Sequence, residues 1–93
     1  MKVQAEVSLY TLRTSKLSGP VAEFCQVLRS RGLYVETRSM STFIVGESER
    51  LFEALKEGFE VSARRNDTVM NIRISNGCPT TVGQKATGKE RVD

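Results

Sequence analysis

Asn71, Arg73 and Ser75 alternate with Met70, Ile72 and Ile74 in the stretch VMNIRISNGCP, Val69 to Pro79. On one face of a strand, an amide, a guanidinium and a hydroxyl can donate and accept hydrogen bonds and hold a charge. The means for bond-breaking chemistry are scarce by comparison. There is no histidine, no pair of acids in evident register and no Gly-Lys-Ser/Thr phosphate motif. The two cysteines, Cys25 and Cys78, have no CxxC spacing, which argues against a zinc site. Cys25 falls on an apolar helix face and reads as a reduced, buried residue. Cys78 lies in Gly77-Cys78-Pro79, a strand-ending turn, with no cation fixed beside it to make a thiolate. These residue types point to recognition rather than reaction, so the protein is expected not to be an enzyme.

The elements that must position them follow from periodicity. KVQAEVSLYTL, residues 2–12, places Val3, Ala5, Val7 and Leu9 on one face and Lys2, Gln4, Glu6, Ser8 and Tyr10 on the other, a half-buried strand. A polar loop over 13–19 leads to Pro20, suited to the first turn of a helix. Leu17, Val21, Phe24, Cys25 and Leu28 recur at helical spacing up to Arg31, and Gly32 ends the run as a left-handed cap. LYVETRS and STFIVGE form a second and third strand joined by a short link near Ser39-Met40, an antiparallel hairpin. Ser48 is the expected N-cap of a second helix reaching about Arg65. Its inner face is expected to be Leu51, Phe52, Leu55, Phe59 and Ala63. A Glu60–Arg64 pair and Asn66 in the left-handed position are expected at its end. Thr68–Ser75 is the fourth strand. After Pro79 the chain is poor in apolar residues and without period, and a flexible tail is expected over 80–93.

The order βαββαβ predicts an α+β, ferredoxin-like sandwich over residues 1–79: a four-stranded antiparallel sheet with two helices on one face. The 93 residues allow one domain, and 39% hydrophobic with 27% charged residues is ordinary globular composition. Fourteen cations against eleven anions give +3 without a basic stripe, so no nucleic-acid partner is expected. No stretch resembles a membrane span or a signal peptide, and a reduced, cytoplasmic setting is expected.

The uncovered side of such a sheet carries Gln4, Glu6, Ser8, Tyr10, Tyr34, Glu36, Arg38, Val69, Asn71, Arg73 and Ser75. Phe43 and Val45 join them if Thr42, Ile44 and Gly46 face the helices; a one-residue slip in TFIVG would exchange the two sets. This face is too apolar to leave in water and too polar for a dry core. Two copies packed through it would enclose a polar pocket. Composition alone favours a plain oligomer interface without a ligand.

SLYTL at Ser8–Leu12, STFIVGE at Ser41–Glu47, LFEALKEGFEVSA at Leu51–Ala63 and TVMNIRISNGCP at Thr68–Pro79 resemble, in order, the YkoF family of thiamine- or hydroxymethylpyrimidine-binding proteins and the related small thiamine-binding domain proteins. The resemblance implies a ferredoxin-like fold that binds thiamine or its pyrimidine half as ligand, with no other cofactor. Members of the YkoF family carry two such units per chain. A single-unit chain should therefore form a homodimer, or a homotetramer, through the open sheet face.

An aminopyrimidine offers ring-nitrogen acceptors and an amino donor. Asn71, Ser75, Ser8 and Thr42 can satisfy both. Thr42 comes from the Ser-Thr motif, although the strand phase turns it toward the helices. Tyr10 or Phe43 can wall a flat ring, and Glu6 is the counter-charge for a thiazolium, blunted if Arg73 pairs with it. The expected ligand-binding set is thus Glu6, Ser8, Tyr10, Thr42, Phe43, Asn71 and Ser75. An acylphosphatase-like enzyme would use Arg13 and Asn71, but TLRTSKLSG lacks a phosphate cradle. An RNA-binding sheet would need a glycine-flanked aromatic motif and a basic rim. The main alternative is a structural or regulatory oligomer that senses another small molecule.

Overall fold

The computed structural model describes residues 1–12 and 18–77. The expected tail, the Gly-Cys-Pro end beyond Gly77, Arg13 and Leu17 lie outside the described residues. The elements are β1 (Lys2–Thr11), α1 (Ser18–Ser30), β2 (Tyr34–Thr37), β3 (Thr42–Glu47), α2 (Ser48–Ala63) and β4 (Thr68–Ser75). They form the ferredoxin-like sandwich that the alternation predicts, an antiparallel sheet ordered β2-β3-β1-β4 with both helices on one face.

The core lies between sheet and helices. Val7, Phe24, Leu28, Ile44 and Leu51 are almost wholly shielded from water, each worth roughly 1.5–3 kcal/mol of apolar burial. Ile44 opposes Ala5 on β1 and Val35 on β2. This fixes the phase of β3: Thr42 and Ile44 face the helices and Phe43 and Val45 the open side. Gly32 takes the left-handed conformation, φ 78°, with its N–H on the Arg29 carbonyl at 3.0 Å. The hairpin closes where Arg38 N–H donates to the Ser41 carbonyl at 2.8 Å.

Helix α2 departs from expectation in three places. Glu47 rather than Ser48 is its N-cap, with no side-chain cap hydrogen bond. The Glu47 carboxylate meets the Met1 ammonium at 3.2 Å instead. The buried stripe is Leu51, Ala54, Leu55, Gly58 and Ser62, while Phe52 and Ala63 point outward. The cause is the close approach of the helices at Gly58, where an added Cβ would stand 2.5 Å from the Phe24 ring. A small residue there admits Phe24 and rotates the inner face onto 54, 58 and 62. At the far end Glu60 pairs with Lys56 at 3.6 Å rather than with Arg64. The helix ends at its C-cap Arg64, which keeps a right-handed conformation.

The fourth strand also departs from expectation. Its helix-side row does not all reach the core. Met70 packs against it, but Ile72 is 44% and Ile74 38% exposed. β4 is an edge strand, and α2 covers it only in part.

Candidate functional site

Register builds the open face strand by strand. Across β1 and β4, Glu6 opposes Arg73, Ser8 opposes Asn71 and Tyr10 opposes Val69. Across β1 and β3, Glu6 opposes Phe43 and Gln4 opposes Val45. Directly opposed side chains on one face lie about 4.5–5.5 Å apart at Cβ. A single small molecule can therefore touch several of them.

Three concavities share these residues. A groove of about 520 Å3 along β1 and β4 is lined by Glu6, Ser8, Tyr10, Asn71 and Arg73, with Met40 and Ser41 of the hairpin as its other wall. Beside it a hollow of about 280 Å3 is lined by Gln4, Glu6, Arg38, Phe43, Arg73 and Ser75. A third cleft, about 370 Å3, wraps the end of the sheet and brings Thr42 together with Ser8, Tyr10, Val21 and the hairpin residues 37–41. The first holds four of the seven expected site residues, Glu6, Ser8, Tyr10 and Asn71. The second holds Phe43 and Ser75 with Glu6 again. Thr42 stands apart on the helix side, 4% exposed, its Oγ1 3.8 Å from Cys25 Sγ. It reaches the others only through the end cleft.

Local contacts shape the groove. Ser8 Oγ donates to the Met40 carbonyl at 3.1 Å, tying the hairpin turn to β1. Tyr10 is 43% exposed and presents its ring to the groove. Ser75 Oγ accepts the Gly77 N–H at 3.0 Å, so this hydroxyl is already engaged in ending the strand.

The charges form a network around Glu6. Its carboxylate lies 3.6 Å from Arg38 Nη1, 4.0 Å from Arg73 Nη1 and 3.4 Å from Ser41 Oγ. Arg38 also meets Glu36 at 3.4 Å, and its guanidinium lies 4.3 Å above the Phe43 ring. Tyr34 adds an edge-to-face contact at 6.5 Å. Phe43 is consequently only 7% exposed and Val45 5%. The apolar middle of the face, which sequence alone leaves open to water, is covered by the protein's own arginine and tyrosine. Phe43 offers no bare ring for stacking unless Arg38 moves.

Sequence reasoning places Arg38 on this face but gives it no role. Its pairing depends on the hairpin folding 38 back beside Glu6, which alternation within one strand does not report. Gln4 is missed in the same way. Its Oε1 is buried without a hydrogen-bond partner among the described residues, at the side of the hollow that Ser75 also lines. Among the described residues no cluster of His, Cys, Asp or Glu is placed to hold a metal.

The model of the thiamine-binding protein family matches residues 5–90, and the chain belongs to that family. No curated protein sequence matches it. Solved structures share the fold. A hypothetical protein of Methanocaldococcus jannascii is 29% identical, with TM-score 0.79 over 94% of this chain and 96% of that one. A Streptococcus pneumoniae protein is 20% identical, with TM-score 0.78 over 94% and 99%. A Thermotoga maritima protein named "putative thiamine biosynthesis/salvage protein" is 19% identical, with TM-score 0.75 over 94% and 97%.

Proposed function

We propose that this member of the thiamine-binding protein family binds thiamine or its hydroxymethylpyrimidine half, without chemical conversion, in the groove along β1 and β4. Family membership over residues 5–90 carries the reading. The groove supports it. Its volume of about 520 Å3 falls within the usual range for a small-molecule site. Asn71 offers a donor and an acceptor, which complement an aminopyrimidine's ring nitrogen and exocyclic amine. Ser8, opposite Asn71, adds a hydroxyl oxygen, and the exposed Tyr10 ring provides a flat wall. Ser75 and Phe43 line the neighbouring hollow, where the rest of a longer ligand would lie.

The groove is open on one side. A second copy packing its sheet over the first would remove water from the ring and complete the enclosure, giving a homodimer or homotetramer. A carboxylate already set between two arginines gives a cation little net attraction. The pyrimidine half is uncharged at neutral pH and asks nothing of Glu6. Hydroxymethylpyrimidine is therefore expected to lose less than thiamine does to this charge arrangement.

Titration calorimetry with both ligands tests the reading. Asn71→Ala should weaken hydroxymethylpyrimidine by about three- to ten-fold, one hydrogen bond's worth, and leave the oligomer mass unchanged. Heat from neither ligand at tens of micromolar protein would favour a structural or regulatory oligomer responding to another molecule.

A further inference from the structure

The row across the middle of the open face has a use that the groove does not absorb. Phe43 on β3 opposes Glu6 on β1 and Glu36 on β2. One ring thus stands between two carboxylates on the same face, with neighbouring Cβ atoms about 4.5–5.5 Å apart. The face of an aromatic ring attracts a cation, and flanking anions add to that attraction. Tyr34 closes a third side, its ring edge-to-face with Phe43 and its hydroxyl donating to Glu36 Oε1 at 3.4 Å. These are the walls of a cation box, and the chain fills it itself. The Arg38 guanidinium lies 4.3 Å from the centre of the Phe43 ring, with Nη1 3.6 Å from Glu6 and Nη2 3.4 Å from Glu36.

We propose that Arg38 holds the place of an organic cation: a ligand with a permanent positive charge, a thiazolium or a quaternary ammonium, sits over Phe43 between Glu6 and Glu36, and Arg38 swings out to admit it. Arg38 is loosely held. Its contacts with the two carboxylates are longer than the roughly 2.7–2.9 Å of a charge-assisted hydrogen bond. Arg31 shows the contrast, with Nε 2.8 Å and Nη2 2.6 Å from Glu57 Oε1. The Arg38 side chain is 40% exposed and that of Glu36 44%. The guanidinium can therefore turn into water without leaving a charge buried, and exposed pairs of this kind hold weakly. The exchange replaces one cation with another, so the carboxylates stay compensated.

For thiamine the inference rests on the groove reading and deepens it. The hollow lined by Arg38 and Phe43 shares Glu6 and Arg73 with the groove, so a pyrimidine beside Asn71 directs the attached thiazolium toward the box. Gln4 Oε1, buried and without a hydrogen-bond partner among the described residues, lines the same hollow and can accept from a hydroxyl on the ligand. Arg38 then separates the two ligands: thiamine must displace it, and hydroxymethylpyrimidine need not.

Arg38→Ala in the full chain empties the box, and circular dichroism verifies the fold. Tetramethylammonium is the probe, followed by its own methyl proton resonance, which an aromatic face shifts upfield. The variant should bind it about five-fold or more tightly than the parent, and tert-butyl alcohol, of similar shape and no charge, should gain nothing. Arg38→Gln removes the charge and keeps part of the stem over the ring, so it should gain in the same direction but less. Phe43→Leu added to Arg38→Ala should abolish the upfield shift. Equal tetramethylammonium binding by the parent and both Arg38 variants, an equal gain for tert-butyl alcohol, or a shift that survives Phe43→Leu would each overturn the proposal. Calorimetry with thiamine and hydroxymethylpyrimidine keeps this inference apart from the groove reading. Thiamine tightened about five-fold by Arg38→Ala, with hydroxymethylpyrimidine unchanged, supports both. A tetramethylammonium gain with no heat from either ligand would sink the groove reading and keep the box. Thiamine binding that Arg38→Ala leaves unchanged, with no tetramethylammonium gain, would sink the box and keep the groove.

Discussion

Arg73→Gln separates the two ligands by charge alone. In the protein Arg73 lies 4.0 Å from Glu6 and its side chain is 88% exposed, while Arg38 holds the same carboxylate at 3.6 Å. A thiazolium brought to Glu6 therefore meets two cations beside that carboxylate, of which Arg38 is shared with Glu36 and Arg73 is not. A unit charge at about 5 Å contributes about 0.8 kcal/mol in water-like surroundings and about 3 kcal/mol at an effective dielectric of 20. The exposure of Arg73 sets its effect near the lower figure, because solvent and salt screen it. Removing that cation should tighten thiamine by about 0.5–1 kcal/mol, two- to five-fold. Hydroxymethylpyrimidine, with no charge, should bind as before.

Calorimetric titration of both ligands into parent and variant reads the ratio of the two dissociation constants. The gain for thiamine should shrink between low salt and several hundred millimolar salt, as a screened interaction must. Equal changes for both ligands, or weaker thiamine binding, would refute the reasoning. Either result would mean that Arg73 contacts the ligand directly or that the ligand lies elsewhere.

Two further substitutions probe the framework. Gly58→Ala should lower stability by about 1 kcal/mol net in urea unfolding: the helix gains about 1 kcal/mol from alanine, but forcing a Cβ to 2.5 Å from the buried Phe24 ring costs about 1–3 kcal/mol. Unchanged or higher stability would show that Phe24 has room to retreat. Thr42→Val keeps the shape of a helix-facing side chain and removes only its hydroxyl. It should leave pyrimidine affinity within two-fold if the ligand lies in the groove along β1 and β4, and a larger loss in the same titration would move the ligand to the end cleft.

Alternation makes most of the fold legible. The rows in β1 and β4 and the glycine at the end of α1 place the main elements and their faces with little error. What alternation reports is which residues share a face. It does not report whether anything covers that face. Met70, Ile72 and Ile74 are one apolar row, but only Met70 packs against the core, since β4 lies at the sheet's rim. Phe43 and Val45 are correctly phased toward the open side, yet they are buried there, because Arg38 folds back across the ring. Helical spacing is ambiguous at α2 for a related reason. Phe52 and Phe59 fit an apolar stripe as well as Ala54 and Gly58 do. The contact with Phe24, on the other helix and distant in the chain, makes the choice.

Thr42 carries the same distinction into the site. Neighbouring residues of a strand face opposite ways, so an inward Thr42 obliges Phe43, the next residue, to face outward. Thr42 is held inward by its contact with Cys25 and by its pairing with Val7. Outward, Phe43 supports Arg38. Just before the strand, Ser41 reaches Glu6, and Met40 supplies the carbonyl that fixes Ser8. A Ser-Thr pair opening this strand can thus bear on the groove although the threonine side chain never faces it, because it sets the phase for residues that do. A residue taken from a motif is evidence that its strand matters to the site, and the neighbours facing the other way are where contact should be sought.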